Sequence, residues 1–294
     1  MKYLLLGGGG FIGTHLSNKL NRDGHSVTVV DKQHQRTIPG VIAIAADLMK
    51  YDVEHLVAEC DIVYFIAGSV GVEYVVKNPY QTIQNNLGLA MKLVPLFEKY
   101  NRKVVFTSTS ELYGNGPFSE DSNIQLGAST NLRWSYAATK MMTEFMIKSA
   151  SFPHVILRLF NIVGPGQIGD HGMVIPRFIK AAKANEPLVI HNSGEQVRTF
   201  CHVLDAIEMI VAVEKFNNET FNIGNDTPTT INELASLVIE VTKSSSSVVH
   251  VPLNEVYTDN YGDVDVRVPN LTKLRRCINY RNKYNLKDIL RDSL

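Results

Sequence analysis

The chain of 294 residues is long enough to bury a large core, and its 45% hydrophobic and 20% charged residues are values of a globular protein. Lys plus Arg equal Asp plus Glu at 29 each, so the zero net charge excludes a broad field for wrapping nucleic acid and leaves only local basic pockets. Three scattered cysteines, Cys60, Cys201 and Cys277, form neither a metal pair nor a disulfide framework, which points to no metal and to a reducing cytoplasm.

The N-terminal MKYLLLGGGG has too short an apolar run for a membrane span and lacks a signal-peptide cleavage pattern, so KYLLL reads as a buried first strand. An amphipathic stretch, FIGTHLSNKLNRDG, follows the glycines and stops at Gly24. SVTVVD (26–31) is a second strand, and GVIAIAADL (40–48) contains a third. DIVYFIAG (61–68) and KVVFTST (103–109) are separated by a helical region over about 80–100. A helix over 135–150 and the strand HVILRLFN (154–161) continue the rhythm. Short apolar strands between helices predict an α/β fold with a parallel, doubly wound sheet.

Beyond Asn161 the texture changes: IVGPGQIGDHG is turn-rich, IPRFIKAAKA is helical and EPLVIH is a strand. HVLDAIEMIVAVEKF is an apolar-faced helix, TFNIGND a strand entering a turn, and TINELASLVIEVTK a helix opened by Thr230 with Glu233 at its third position. SSSS (244–247) is a loop before VVHVPL. The expected division is a dinucleotide-binding domain over 1–161 and a smaller substrate-binding α/β domain over 162–294, with segments around 196–225 returning to the first.

Gly7, Gly10 and Gly13 lie between the first strand and helix. There a tight turn, close approach to a pyrophosphate and helix–strand contact each exclude a Cβ, and the helix N-terminus attracts an anion. Asp31 closes the second strand 18 residues after Gly13, where a carboxylate accepts ribose hydroxyls and repels a 2′-phosphate. The expectation is NAD rather than NADP, with Asp47–Leu48 near the adenine. A glycine turn that merely packs tightly, and a plain strand-end acid, are the alternatives.

Tyr136 and Lys140 are four apart in YAATK and share a helix face. An ammonium beside a phenol lowers its pKa, making Tyr136 a base for a sugar hydroxyl while hydride leaves the same carbon. Thr109, at the end of a strand, is placed to bond that hydroxyl; a helix cap is the plainer role for Thr109 and Ser110.

Together GGGGFIG, VVD, FIAG, NNLG, STSELYG, YAATK, RLFNIVGPG, EQVRTFCHVLDA and FNIGN resemble the extended short-chain dehydrogenase/reductases, the NAD-dependent nucleotide-sugar epimerases, dehydratases and decarboxylases, from Lys2 to about Tyr280. Leu6 stands where that family usually has threonine or alanine. The resemblance implies C4 oxidation by Thr109, Tyr136 and Lys140. It implies NAD contacts at Gly7, Gly10, Phe11, Ile12, Gly13, Asp31, Asp47, Leu48, Ala67, Tyr136 and Lys140, and puts Asn161 and Arg198 on the substrate diphosphate.

VEYVVKNP (72–79), STSELYG, RWSYAATK and YGDVDVRVPN (261–270) look like the UDP-glucuronate decarboxylase branch. That likeness implies a UDP-sugar site from Ser69, Tyr74, Thr109, Arg133, Asn161, Arg198, Tyr261 and Arg267. Glu111 would be the acid/base, with Ser110 and Arg267 assisting at C5 and C6; a salt bridge from Arg267 to Asp263 or Asp265 is the bland alternative. Ser110 replaces the acid that a 4,6-dehydratase carries there, and Gly68 and Gly71 leave room that suits an epimerase or an N-acetyl group. Decarboxylase, 4-epimerase, other C4-oxidising chemistry and a catalytically silent NAD sensor all remain open at this stage. Apolar residues in LGLAMKLVPLF and MMTEFMIKSA exceed one sheet-facing stripe, and with the resemblance they imply a homodimer.

Overall fold

The strand signals assemble into one seven-stranded parallel sheet whose spatial order is Glu219–Ile223, His154–Leu159, Lys103–Thr109, Ile62–Phe65, Lys2–Leu6, Ser26–Asp31 and Val41–Ala45. Its strands are β1 (Lys2–Leu6), β2 (Ser26–Asp31), β3 (Val41–Ala45), β4 (Ile62–Phe65), β5 (Lys103–Thr109), β6 (His154–Leu159) and β11 (Glu219–Ile223). A computed structural model describes residues 1–32, 38–168, 173–252 and 264–294. Within the sheet, pleat alternation sends Leu5 to one apolar cluster and Leu4 and Leu6 to another. A strand buried on both faces needs helices on both, which is why these segments read as continuous apolar runs.

On one face lie α1 (Phe11–Arg22), α7 (Val203–Val213) and α9 (Thr272–Ile278), which bury Leu16, Leu20, Ile207, Ile210 and Leu274. The other face carries α2 (Glu54–Glu59), α4 (Pro79–Lys99) and α5 (Trp134–Ser149), with Val57, Leu93, Phe97 and Ile147 inside. The helix α3 (Val72–Lys77) leads into α4. This is a Rossmann-type doubly wound fold.

A smaller α/β layer follows. Its elements α6 (Val174–Lys183), β8 (Leu188–His191), α8 (Ile231–Thr242), β13 (Val248–Val251) and α10 (Leu286–Asp292) enclose a third cluster around Phe178, Leu188, Leu234 and Ile289. Thr230 and Glu233 form the reciprocal cap on α8 that the sequence predicts. Short pairs tie this layer down: β7 (Ile162–Val163) runs parallel to β10 (Cys201–His202), and β9 (Val197–Arg198) antiparallel to β12 (Thr229–Thr230).

The expected third strand is confined to Val41–Ala45, because Asp47 turns the chain by accepting the Met49 N–H at 2.9 Å. The helices α2 and α3 were not foreseen; at six residues each they show too little period to read. Among the described residues no helix is long and apolar enough to cross a membrane.

Candidate active site

Because the sheet is entirely parallel, the residues that follow its strands collect on one edge: Gly7 after β1, Asp31 ending β2, Ala67 after β4, Thr109 ending β5 and Asn161 after β6. The strand order reverses direction between β1 and β4, which is where open sheets of this kind form a crevice.

The glycines at that crevice do separate jobs. A Cβ on Gly7, whose φ is +86°, would stand 2.3 Å from the backbone of Ala67, so β1 and β4 close only without a side chain. One on Gly13 would meet Gly8 backbone at 2.5 Å, seating α1 against the turn. A Cβ on Gly10 would meet nothing within 4 Å, so its side-chain direction opens into free space at the start of α1. Phe11 and Ile12 form the first turn of that helix. Asp31 accepts the Gly9 N–H at 2.9 Å and so faces the loop from the second strand. A close-packed turn, an open helix start and an adjacent carboxylate fit a dinucleotide. Gly8 escaped the sequence reading; a Cβ there would lie 2.8 Å from Val29.

Asp47 is exposed at the head of the turn after β3, with Leu48 buried beneath it. Ser69 is fixed by two amides from α4. Its N–H donates to Asn86 Oδ1 at 2.6 Å, its carbonyl accepts from Asn86 Nδ2, and its hydroxyl accepts from Asn85 Nδ2 at 2.9 Å. Neither asparagine was singled out as a site residue, although NNLG is among the motifs that carry the family resemblance and places a pair of amides in an apolar helix.

The helix α5 lies along the end of β5. Tyr136 is half-buried and hydrogen-bonded to Thr109, and burial followed by the Glu111 carboxylate pushes its phenol above the ordinary range, while the Thr109 bond pulls it down. Lys140 is buried, donates to the Thr107 carbonyl at 2.7 Å and lies 4.7 Å from the Phe106 ring centroid. Burial lowers its ammonium to about 8, against an upward pull from Glu144. The sequence reading expects a lowered phenol; here the causes that act on Tyr136 give a net rise. Thr109 also caps a 3₁₀ turn, Ser110–Tyr113, by accepting the Glu111 N–H at 3.2 Å, so its capping role and its contact with Tyr136 coexist.

That turn presents Glu111 to two buried arginines. Arg133 Nη2 is 3.6 Å and Arg267 Nη1 3.8 Å from Glu111 Oε1. Arg267 thus faces Glu111, and its backbone N–H reaches Val197 O at 3.0 Å. The Asp265 carbonyl, by contrast, accepts from Val197 N and from Arg198 Nη1. Asp263 and Tyr261 lie outside the described residues.

Asn161 adopts φ +34° and donates to Thr199 O at 2.9 Å, next to β9 and Arg198. Tyr74 is half-buried on α3, directly after Gly71 at φ +101°. The described residues therefore bring Thr109, Ser110, Glu111, Arg133, Tyr136, Lys140 and Arg267 together, with the glycine loop, Asp31 and Ala67 along the same edge.

A model of the NAD dependent epimerase/dehydratase family matches residues 3–224. The chain belongs to that family. Its relatives include the UDP-N-acetyl-alpha-D-glucosaminuronate decarboxylase of Bacillus cytotoxicus, 35% identical and spanning 99% of this chain and 96% of that protein. UDP-glucuronic acid decarboxylase 1 of Arabidopsis thaliana is 27% identical over 98% of this chain and 68% of its own length. Among solved structures, the UDP-glucuronic acid 4-epimerase of Bacillus cereus in complex with UDP-glucuronic acid and NAD superposes with a TM-score of 0.88 at 25% identity, covering 100% of this chain and 98% of that one. The protein is an enzyme whose cofactor is NAD, and it modifies nucleotide sugars through C4 of the sugar.

Proposed function

We propose that the enzyme is a UDP-hexuronate decarboxylase, with UDP-N-acetylglucosaminuronate as the first substrate to test. The observation that carries this reading is the Glu111 cluster: the buried guanidiniums of Arg133 and Arg267 both approach the Glu111 carboxylate at the end of β5. Guanidinium forks held in a buried polar cluster are suited to gripping a carboxylate in two-point contact, and this supports a role for Arg133 and Arg267 in receiving the substrate carboxylate at C6. The relative from Bacillus cytotoxicus acts on a 2-acetamido uronate by its name, which makes that sugar the first to test; the room expected at Gly68 is taken up by Asn86 and Lys140, which a Cβ there would meet at 3.1 and 3.5 Å.

Bound NAD would supply a reversible hydride acceptor for C4. Gly7, Gly10, Phe11, Ile12, Gly13 and Ala67 hold it along the crevice, with Asp31 on the ribose hydroxyls and Asp47–Leu48 at the adenine. Tyr136 accepts the O4 proton while Thr109 bonds the same oxygen, and Lys140 supplies the positive charge that a phenolate needs. The 4-ketone makes the uronate a β-keto acid. The C5–C6 bond then breaks, its electron pair passes into the ketone and carbon dioxide leaves. A proton drawn from solvent passes through Glu111, helped by Ser110, to C5, and Tyr136 returns its proton to O4. Arg267 and Arg133 orient the carboxylate, and preorganised donors of this kind are each worth several kcal/mol, about 3, when charge develops beside them. Asn161 and Arg198 take the diphosphate, and Ser69, Tyr74 and Tyr261 the rest of the UDP-sugar.

In this reading the elements of 1–161 hold NAD and those of 162–294 chiefly hold the substrate, with 196–225 returning to the sheet. The enzyme works in the cytoplasm as a homodimer joined through α4 and α5, whose outer faces expose Tyr80, Met91, Met142 and Phe145. A 4-epimerase is the second reading, favoured by the similarity to the Bacillus cereus UDP-glucuronic acid 4-epimerase.

The deciding experiment incubates the enzyme with UDP-glucose, UDP-N-acetylglucosamine, UDP-glucuronate and UDP-N-acetylglucosaminuronate and resolves products by NMR. A UDP-pentose or its 2-acetamido counterpart supports decarboxylation. Axial and equatorial C4 isomers of unchanged mass replace it with epimerisation, and an uronate that neither binds nor reacts removes the carboxylate role of Arg267.

A further inference from the structure

The ammonium of Lys92 is not part of the catalytic cluster, yet it meets three backbone carbonyls at once. Nζ lies 2.7 Å from Leu48 O, 3.2 Å from Met49 O and 2.7 Å from Tyr51 O. A lysine ammonium has three N–H groups and no acceptor, so this one contact set uses its full donor capacity. All three acceptors belong to the turn that leaves β3, whose own bonds are local: Asp47 accepts the N–H groups of Met49, Lys50 and Tyr51.

The same side of α4 holds the turn elsewhere. Gly88 is one helical turn before Lys92, and a Cβ there would stand 3.2 Å from Met49 Cε. Two turns after Lys92, Lys99 pairs with Glu54, and the Tyr100 hydroxyl bonds the same carboxylate at 2.7 Å. Asp47, Met49, Gly88 and Met91 together line a groove of about 490 Å³. Thus α4 sets the height and tilt of the turn that presents Asp47 and Leu48, and the charged contacts that do so come from Lys92.

We propose that Lys92 is a positioning residue for the adenine half of NAD, acting through the carbonyls of residues 48–51. This rests on the reading that places the adenine at Asp47 and Leu48. Lys92 itself touches no cofactor atom in this account; it keeps the Asp47–Leu48 backbone where a purine edge and face meet it. Charge-assisted hydrogen bonds are the stronger class, and here they hold a segment that leaves the sheet just after the Ala46 N–H donates to Asp31 O at 2.9 Å.

The test strips bound nucleotide from the full-length protein and titrates NAD, ADP-ribose, nicotinamide mononucleotide and UDP into wild type, Lys92→Met and Asp47→Ala. Methionine keeps an apolar stem and removes all three donors. For Lys92→Met, NAD and ADP-ribose should weaken about ten-fold, the worth of one charge-assisted hydrogen bond. Nicotinamide mononucleotide and UDP should bind as in wild type, and Lys92→Arg should recover part of the loss. Unchanged ADP-ribose affinity, or an equal loss for all four ligands, overturns the assignment, the latter because it signals general loosening. If Asp47→Ala weakens ADP-ribose and Lys92→Met does not, only the role of Lys92 fails. If neither variant changes it, the placement of the adenine fails with it.

Discussion

Lys140 rests its ammonium on the carbonyl of Thr107, 2.7 Å away, two residues before the threonine that bonds Tyr136. One helical turn further along α5, Glu144 accepts the Ser108 hydroxyl at 2.6 Å. Three consecutive turns of the helix therefore meet three consecutive residues of the strand. This fixes both the rotation of α5 and its height above β5, so Tyr136 reaches the sheet edge instead of solvent.

Replacing Tyr136 by Phe removes the hydroxyl and little volume. Folding and NAD content should persist, and turnover should fall about 10² to 10⁴-fold, the range for a positioned acid–base group. Turnover at the wild-type rate on the true substrate would show that another group moves the O4 proton.

Glu111→Gln keeps the shape of the Arg133–Glu111–Arg267 cluster and removes its negative charge. Uronate binding should hold or tighten, while release of carbon dioxide should drop by roughly two orders of magnitude or more. Measuring product by NMR and affinity by calorimetry separates the two effects. Weaker uronate binding together with unimpaired release would contradict the assigned role.

The pH dependence follows from Lys140. Its ammonium loses its proton near pH 8 in the folded protein and near 10.5 in the unfolded chain. Activity that needs the charge should therefore decline above about pH 8. Stability runs the opposite way: between those two values the unfolded chain holds more protons, so this group's contribution to stability rises with pH. Lys140→Met should remove that rise. A pH–rate profile flat to pH 10 would disconnect Lys140 from the chemistry.

For assembly, light scattering at micromolar protein should give twice the 32.8 kDa chain mass. Phe145, 55% exposed, and Met91, 63% exposed, are the side chains to charge. Phe145→Glu with Met91→Lys should yield monomers that keep their circular dichroism. A wild-type mass near that of one chain would end the dimer proposal.

The alternation of apolar strands and helices, the glycine loop and the YAATK pair were legible because each is a local signal with its own spacing. The contacts that aim the site were not. Glu111 and Arg267 come together in the sequence only through the resemblance that puts both at C5 and C6; no local spacing in STSE or VRVPN encodes their approach, because they meet only after most of the chain has folded. Lys92 looks like one more helical surface lysine until its three carbonyls are seen, and Asn86 like a polar break in α4. Met141, Met142, Phe145 and Met146 show the limit of helical periodicity. Met142 and Phe145 face outward, whereas Met146 packs into the core and Met141 is half-buried.

The carboxylate of Glu144 also grips Arg158 through Nε at 3.1 Å and Nη2 at 2.8 Å, and Arg158 passes the chain of bonds through Tyr113 to Asn222. Asn222 belongs to the last strand of the sheet, and its backbone N–H holds Glu120 at 2.9 Å. During synthesis, then, a ribosome that has finished Tyr136 and Lys140 has not yet delivered the residue that completes their buried support. Until then the Tyr113 hydroxyl waits without its Asn222 acceptor, an unmet group worth about 1 to 3 kcal/mol if sealed from water. Stalled nascent chains ending before β11 should stay open to protease around α5 and gain protection once Asn222 has emerged. The order of translation thus makes the catalytic face one of the later parts of this enzyme to become rigid, although most of its reactive side chains are made early.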